Sequence, residues 1–144
     1  DTTSPSIATL ADLVRALGAS LAEFFQDPPD RPRKMVFGKE DWVVSGASEE
    51  GFELTFLIPE AHGNEMEPVL ITLEPGRSTA AGPAHEGEEF GFVLSGQVEL
   101  RVGETTHRVR KHECFYYPAD AVHRIVNTGK TRAQLLWVSC PPCF

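Results

Sequence analysis

Three things are scarce in this chain of 144 residues. It has no uninterrupted apolar run approaching the roughly 20 residues that a membrane-spanning helix needs. It is short of cations, with 13 Lys and Arg against 21 Asp and Glu and a net charge of -8. Phosphate contacts need clustered Lys and Arg, so by itself the chain is a poor nucleic-acid binder. It also has only three cysteines. That odd number does not read as a disulfide framework, and the expected compartment is the reducing cytoplasm. The opening Asp1-Thr2-Thr3-Ser4 lacks the basic stretch and apolar run of a signal peptide.

What is present suits a globular chain. Hydrophobic residues make up 41% and charged residues 24%, enough apolar side chain to bury a core. The length predicts one compact domain with a small appendage. Residues 1–26 read as two short helices. Ser4 is placed to cap the first, with Pro5 at its first position. Ile7, Leu10, Val14 and Leu17 recur at helical spacing, and Gly18 is a natural stop. Ser20 opens the second helix as a capping box with Glu23, and Leu21, Phe24 and Phe25 give it an apolar face. Residues 27–34 carry three prolines and the charge run Asp30-Arg31-Pro32-Arg33-Lys34, and read as a solvated linker.

From residue 35 the helical period disappears. Short runs rich in Val, Ile, Phe, Leu and Thr alternate with Gly, Pro and Asn. They predict strands at 34–37, 41–45, 51–58, 67–73, 89–95, 97–102, 105–110, 113–117, 122–127 and 132–139. Ser95-Gly96 and Gly103-Glu104 read as tight turns between antiparallel neighbours. Val98, Leu100 and Val102 alternate with Gln97, Glu99 and Arg101, as in a strand with one wet face. Ten short strands at this spacing predict a mainly β sandwich or closed barrel over 35–144.

His85, Glu89 and His123 stand out chemically. Two imidazoles and a carboxylate can occupy one face of a metal and leave other positions open. That donor set suits iron, and also zinc, nickel or manganese. The same three side chains would serve equally as hydrogen-bonding groups in a metal-free barrel.

The stretch from Pro75-Gly76 to Gly96 resembles the first motif of the cupin family. His85 takes the place of its second His, and six residues separate Glu89 from Gly96. The stretch from His112 to Asn127 resembles the second motif through Pro118, His123 and Asn127. The first motif's earlier His falls at Pro83, and the second motif's opening Gly and following Asp fall at His112 and Glu113. Pro83 cannot ligate, so the resemblance implies a three-ligand metal site at His85, Glu89 and His123. It also implies a double-stranded β-helix, the jelly-roll barrel of cupins. The run His85 to Gly96, the run Cys114-Phe115-Tyr116-Tyr117-Pro118-Ala119-Asp120 and the ending Pro141-Pro142-Cys143-Phe144 look like cupin sensor domains fused to an Xre-type helix-turn-helix. Ser4 to Leu17-Gly18 and Leu21 to Phe25 look like the last two helices of that DNA-binding domain.

The first 26 residues hold one Arg and three acidic residues. The resemblance therefore implies an N-terminally truncated regulator, whose DNA contact would come only through a missing N-terminal part. The implied function is a ligand-sensing, dimerising domain for a small-molecule effector, as a cytoplasmic homodimer. The alternative is a mononuclear non-haem iron enzyme of the cupin type, similar to hydroxypropylphosphonate epoxidase. No catalytic residue is singled out.

Other residues have plainer readings. Cys140-Pro141-Pro142-Cys143 has redox or metal spacing but no second pair, and reads as inert. Cys114 reads as a small buried hydrophobe. His62 reads as solvated, His107 as a packed strand residue and His112 as an exposed turn residue. Glu86 and Glu88 read as a solvated loop edge. Phe92, Tyr116, Tyr117 and Trp137 are candidates to wall an apolar effector pocket.

Overall fold

The computed structural model describes residues 6–25, 34–45, 51–59 and 64–144. The chain divides into two compact units, Asp1–Met35 and Val36–Phe144. In the first, α1 spans Ile7–Ala16 and α2 is a single turn, Leu21–Phe24. Ser6 caps α1, its side chain accepting the Thr9 N–H at 3.1 Å. The helix thus begins two residues after the expected cap, and Ser4 and Pro5 lie outside the described residues. Gly18 at φ +78° ends it, as expected of a residue without Cβ. Val14 is buried and Leu10 half-buried, but Ile7 and Leu17 are exposed. The second helix is therefore much shorter than expected, since four residues cannot outweigh the cost of helix nucleation without tertiary cover. Its capping box rests on Glu23, whose side chain lies outside the described residues.

Among its described residues the second unit holds nine strands. They are β1 Val43–Ser45, β2 Phe52–Phe56, β3 Glu67–Leu73, β4 Glu88–Ser95, β5 Gln97–Val102, β6 Thr105–Arg110, β7 Cys114–Pro118, β8 His123–Val126 and β9 Ala133–Cys140. One antiparallel sheet runs β1-β2-β3-β9-β4-β7, the other β6-β5-β8. Bridges from Ser78 to Val126 and from Gly82 to His123 extend the second sheet along β8. The expected strand at 34–37 does not form. Met35 and Val36 are 90% and 81% exposed and unpaired. A 3-10 turn at Lys39–Asp41, with the Asp41 carboxylate accepting the Gly38 N–H at 2.8 Å, then delays β1 to Val43.

Gly103-Glu104 is the expected two-residue hairpin, with Val102 paired to Thr105. Ser95-Gly96 is not a hairpin, because β4 and β5 belong to different sheets. The register of β4 on β9 shifts between Val93 and Ser95, and Gly96 at φ +74° carries the chain across. A Cβ there would come within 2.8 Å of Ala133 Cα.

The period of two along β9 sets the core. Ala133, Leu135, Trp137 and Ser139 point inward, and Gln134, Leu136 and Val138 are half-covered. Register then places Glu89 opposite both Ser139 on β9 and Tyr117 on β7. Val69, Ile71, Leu73, Val93, Val98, Ile125, Leu135 and Trp137 are nearly or wholly buried around this face. Asn127, fully buried, ties the far end together. It donates to Leu73 O and Thr131 O at 2.9 Å each, and accepts from Gly129 N–H.

Candidate metal and effector pocket

Glu89 sits at the second residue of β4 and only 1% exposed. His123 starts β8 on the opposite sheet and is 5% exposed. His85 lies in the segment before β4, its N–H held by Ala119 O at 2.8 Å. The three side chains meet. His85 Nε2 is 3.3 Å and His123 Nε2 3.4 Å from the same oxygen, Glu89 Oε1. The other carboxylate oxygen accepts the Tyr117 hydroxyl.

The remaining nitrogen of each ring is engaged by backbone. His85 Nδ1 is 2.9 Å from Glu86 O, and His123 Nδ1 is 3.0 Å from Ala121 O. A carbonyl only accepts, so Nδ1 carries the donated proton and Nε2 is left facing the pocket. That is the arrangement in which an outer hydrogen bond orients a histidine ligand. Gly82 lines the pocket close to His123, where an added Cβ would be 2.6 Å from Nε2.

Without a cation the carboxylate and the His123 imidazole each favour the charged form of the other. Burial pushes the Glu89 carboxyl up, but hydrogen bonds from His123 and Tyr117 outweigh it and leave it below its ordinary value. The hydrogen bond to Glu89 raises His123, against its own desolvation. Burial and the same carboxylate push the Tyr117 hydroxyl far up, so it remains a donor.

A cavity of about 290 Å³ opens over these groups. Its wall is mostly apolar and includes Phe52, Leu54, Ile71, Trp137 and Phe144. Of the four aromatics expected to wall it, Trp137 does so. Tyr117 is buried beneath, as the hydroxyl donor to Glu89. Tyr116 is 62% exposed on the outer face of β7, and Phe92 is half-buried with its ring stacked on His112 at 6.3 Å. The period of two explains this, because Phe115 and Tyr117 take the inward face and Tyr116 the outward one. Trp137 Nε1 is buried with no hydrogen-bond partner among the described residues.

The structure also moves several side chains. Cys114 shares the outward face of β7 and is exposed. His107 is exposed on β6, a strand at the sheet edge. His112 is exposed in a turn at φ +67°, and Glu86 and Glu88 are exposed, all as expected. His62 lies outside the described residues. The sequence reading notes the metal-like spacing of Cys140 and Cys143 and sets both aside as inert, but Cys143 comes close to the pocket. Its Sγ is 3.8 Å from Glu89 Oε1, and His85, Glu89 and Cys143 offer donor atoms all within 4.8 Å of one another. Burial raises its thiol, and the Ser139 hydroxyl offsets part of that. Spacing could not reveal it, because the turn through Pro141-Pro142 folds the tail back over the barrel.

Residues 69–139 match the Cupin_2 family, described as a cupin domain. This barrel is a cupin domain. The chain is 27% identical over 146 residues to the HTH-type transcriptional regulator PuuR of Escherichia coli (strain K12), a match that takes in 100% of this chain and 77% of that protein. The cupin barrel also resembles solved structures. An HTH_3 family transcriptional regulator from Vibrio cholerae superposes with a TM-score of 0.60 and 22% identity, over 98% of this chain and 75% of that one. The Cupin_2 domain of an XRE family transcriptional regulator from Enterobacter cloacae superposes with a TM-score of 0.58 and 18% identity, over 65% of this chain and 99% of that one. No helix among the described residues is long and apolar enough to cross a membrane.

His85, Glu89 and Cys143 offer donor atoms within 4.8 Å of one another, close enough for one divalent cation, and His123 stands outside that group. Oxygen and nitrogen ligands about 2.1 Å from one ion at tetrahedral angles stand about 3.4 Å apart, close to the two His–Glu89 distances. Pro83 lines the cavity and offers no donor.

Proposed function

We propose that this chain is the ligand-sensing, dimerising cupin domain of a bacterial transcriptional regulator. A small-molecule effector would enter the cavity, and His85, Glu89 and His123 would hold a divalent cation at its base. The supporting observation is the extent of the likeness to PuuR, which spans the helical unit as well as the barrel. On this reading α1 and α2 belong to a helix-turn-helix region. Their one described cation, Arg15, is paired with Asp12 at 3.0 Å, so α1 and α2 would not supply the phosphate grip.

The pocket supports an effector of limited size with an apolar body and at least one acceptor. The acceptor would take the Trp137 N–H, whose burial without a partner costs about 1–3 kcal/mol. A bound cation would supply Lewis-acid anchoring for a second polar group of the effector. Effector binding in each barrel of a dimer would shift the equilibrium between two arrangements of the subunits.

The test is a thermal-shift screen of bacterial metabolites against the wild type and Trp137→Phe. A ligand present at about 100 times its Kd stabilises by about 2.7 kcal/mol. The expected hit raises the melting temperature of the wild type more than that of the variant and is recovered chemically unchanged. Conversion of the hit in the presence of iron and oxygen would overturn the sensor reading in favour of a non-haem iron enzyme.

A further inference from the structure

Strand β9 ends with Ser139 inward and Cys140 outward. The chain then turns back over the pocket. The Ser139 hydroxyl donates to Pro141 O at 2.6 Å, and Cys143 Sγ lies 2.9 Å from the same hydroxyl. Phe144 N–H donates to Glu67 Oε2 at 3.2 Å, and the Phe144 ring meets Trp137 edge-on at 5.8 Å. Cys143 is thus held on both sides of its own position, with its sulfur turned toward the cavity and its outer side open to solvent.

We propose that a divalent cation bound in this pocket takes the Cys143 thiolate as a ligand beside His85, Glu89 and His123. The inference rests on the cation reading above and extends it. A sulfur at about 2.3 Å and an oxygen at about 2.1 Å from one ion at a tetrahedral angle stand about 3.6 Å apart. Cys143 Sγ and Glu89 Oε1 are 3.8 Å apart. His85 Nε2 and His123 Nε2 stand 3.3 Å and 3.4 Å from the same carboxylate oxygen, and His85, Glu89 and Cys143 offer donor atoms all within 4.8 Å of one another, so Cys143 belongs to the tighter group and His123 reaches it through Glu89. On binding, the thiol proton leaves to solvent and the sulfur electron pair goes to the cation. A thiolate in the set selects thiophilic cations, zinc foremost, over manganese. The tail then becomes ordered by the cation as well as by its hydrogen bonds, so loading the site would close the mouth of the cavity on that side.

The test uses the full 144-residue chain loaded with Co(II) as a coloured surrogate for zinc. The expected result is one Co(II) per chain with a near-ultraviolet thiolate-to-cobalt charge-transfer band. Cys140→Ser should keep the band. Cys143→Ser should lose it, keep its circular dichroism, and bind Co(II) about ten- to a hundredfold more weakly. Glu89→Gln should weaken Co(II) binding. Stoichiometric Co(II) without the band in the wild type would overturn this inference and leave the cation reading standing. A band that persists in Cys143→Ser would also overturn it, because the thiolate would then belong to another site. Absence of stoichiometric Co(II) in the wild type would overturn the cation reading itself.

Discussion

Glu89 is the residue on which the pocket turns. It is almost wholly buried, yet hydrogen bonds from His123 and Tyr117 outweigh that burial and keep its carboxyl below its ordinary value. This fixes the pH behaviour of the chelator-treated protein. The Glu89 carboxyl titrates below its ordinary 4.5 when folded, so its contribution is present above about that pH and fades as pH falls through the folded value. His123 titrates above its ordinary 6.5 when folded, so its contribution is full below that pH and fades as pH rises through the folded value. The melting temperature should therefore peak between pH 4.5 and 6.5 and decline on either side. A bound cation should steepen the acidic arm and counter the alkaline one, since it needs the imidazoles neutral, and the loaded protein should lose its cation on acidification. Melting curves across pH, with and without chelator, check both. Gly82→Ala should push the His123 ring aside, because the added methyl would lie 2.6 Å from Nε2. The expected outcome is cation affinity reduced at least about tenfold with the barrel still folded, read by titration calorimetry.

At the scale of single elements, the sequence was most legible where the period of two was unbroken. Strands β3, β5 and β6 fall where alternation and turn residues put them, and the others lie within a few residues of expectation except at 34–37. That segment has strand-forming residues but no partner to pair with, and pairing is not written in a local run. Ser95-Gly96 has the composition of a hairpin, yet it joins two sheets, because composition records the local bend and not the destination of the chain. His85, Glu89 and His123 were legible as a set through motif spacing. Cys143 was not, since its place depends on a tail folding back on itself. Tyr116 and Tyr117 illustrate the same limit, as adjacent tyrosines on opposite faces of β7 that only the register separates. Asn127 is the element-scale fastener, joining β3 to the turn before β9. Asn127→Ala should cost about 2–4 kcal/mol, because it leaves buried backbone groups without partners. Urea denaturation measures this, and a loss below about 0.5 kcal/mol would refute the assignment.

The whole molecule has two units of different character. Val36–Phe144 has a continuous core, whereas Asp1–Met35 leaves several large apolar side chains exposed among its described residues. Residues 36–144 expressed alone should therefore retain the cooperative melt of the full chain and its cation stoichiometry. With a net charge of -8, and with Arg15 engaged by Asp12, the full chain should not bind duplex DNA specifically at physiological salt. Sub-micromolar binding in a mobility-shift assay would contradict this.

The chain contains two tryptophans, and one of them, Trp137, is part of the cavity wall. Its ring lies 6.2 Å from His123 and 5.8 Å from Phe144. An imidazole that gains or loses charge beside an indole changes the light that the indole emits. Ultraviolet fluorescence should therefore report, without any label, when a cation or effector arrives and when His123 titrates. Replacing Trp42, which stands apart from the pocket lining, with Phe would leave that optical signal to Trp137 alone.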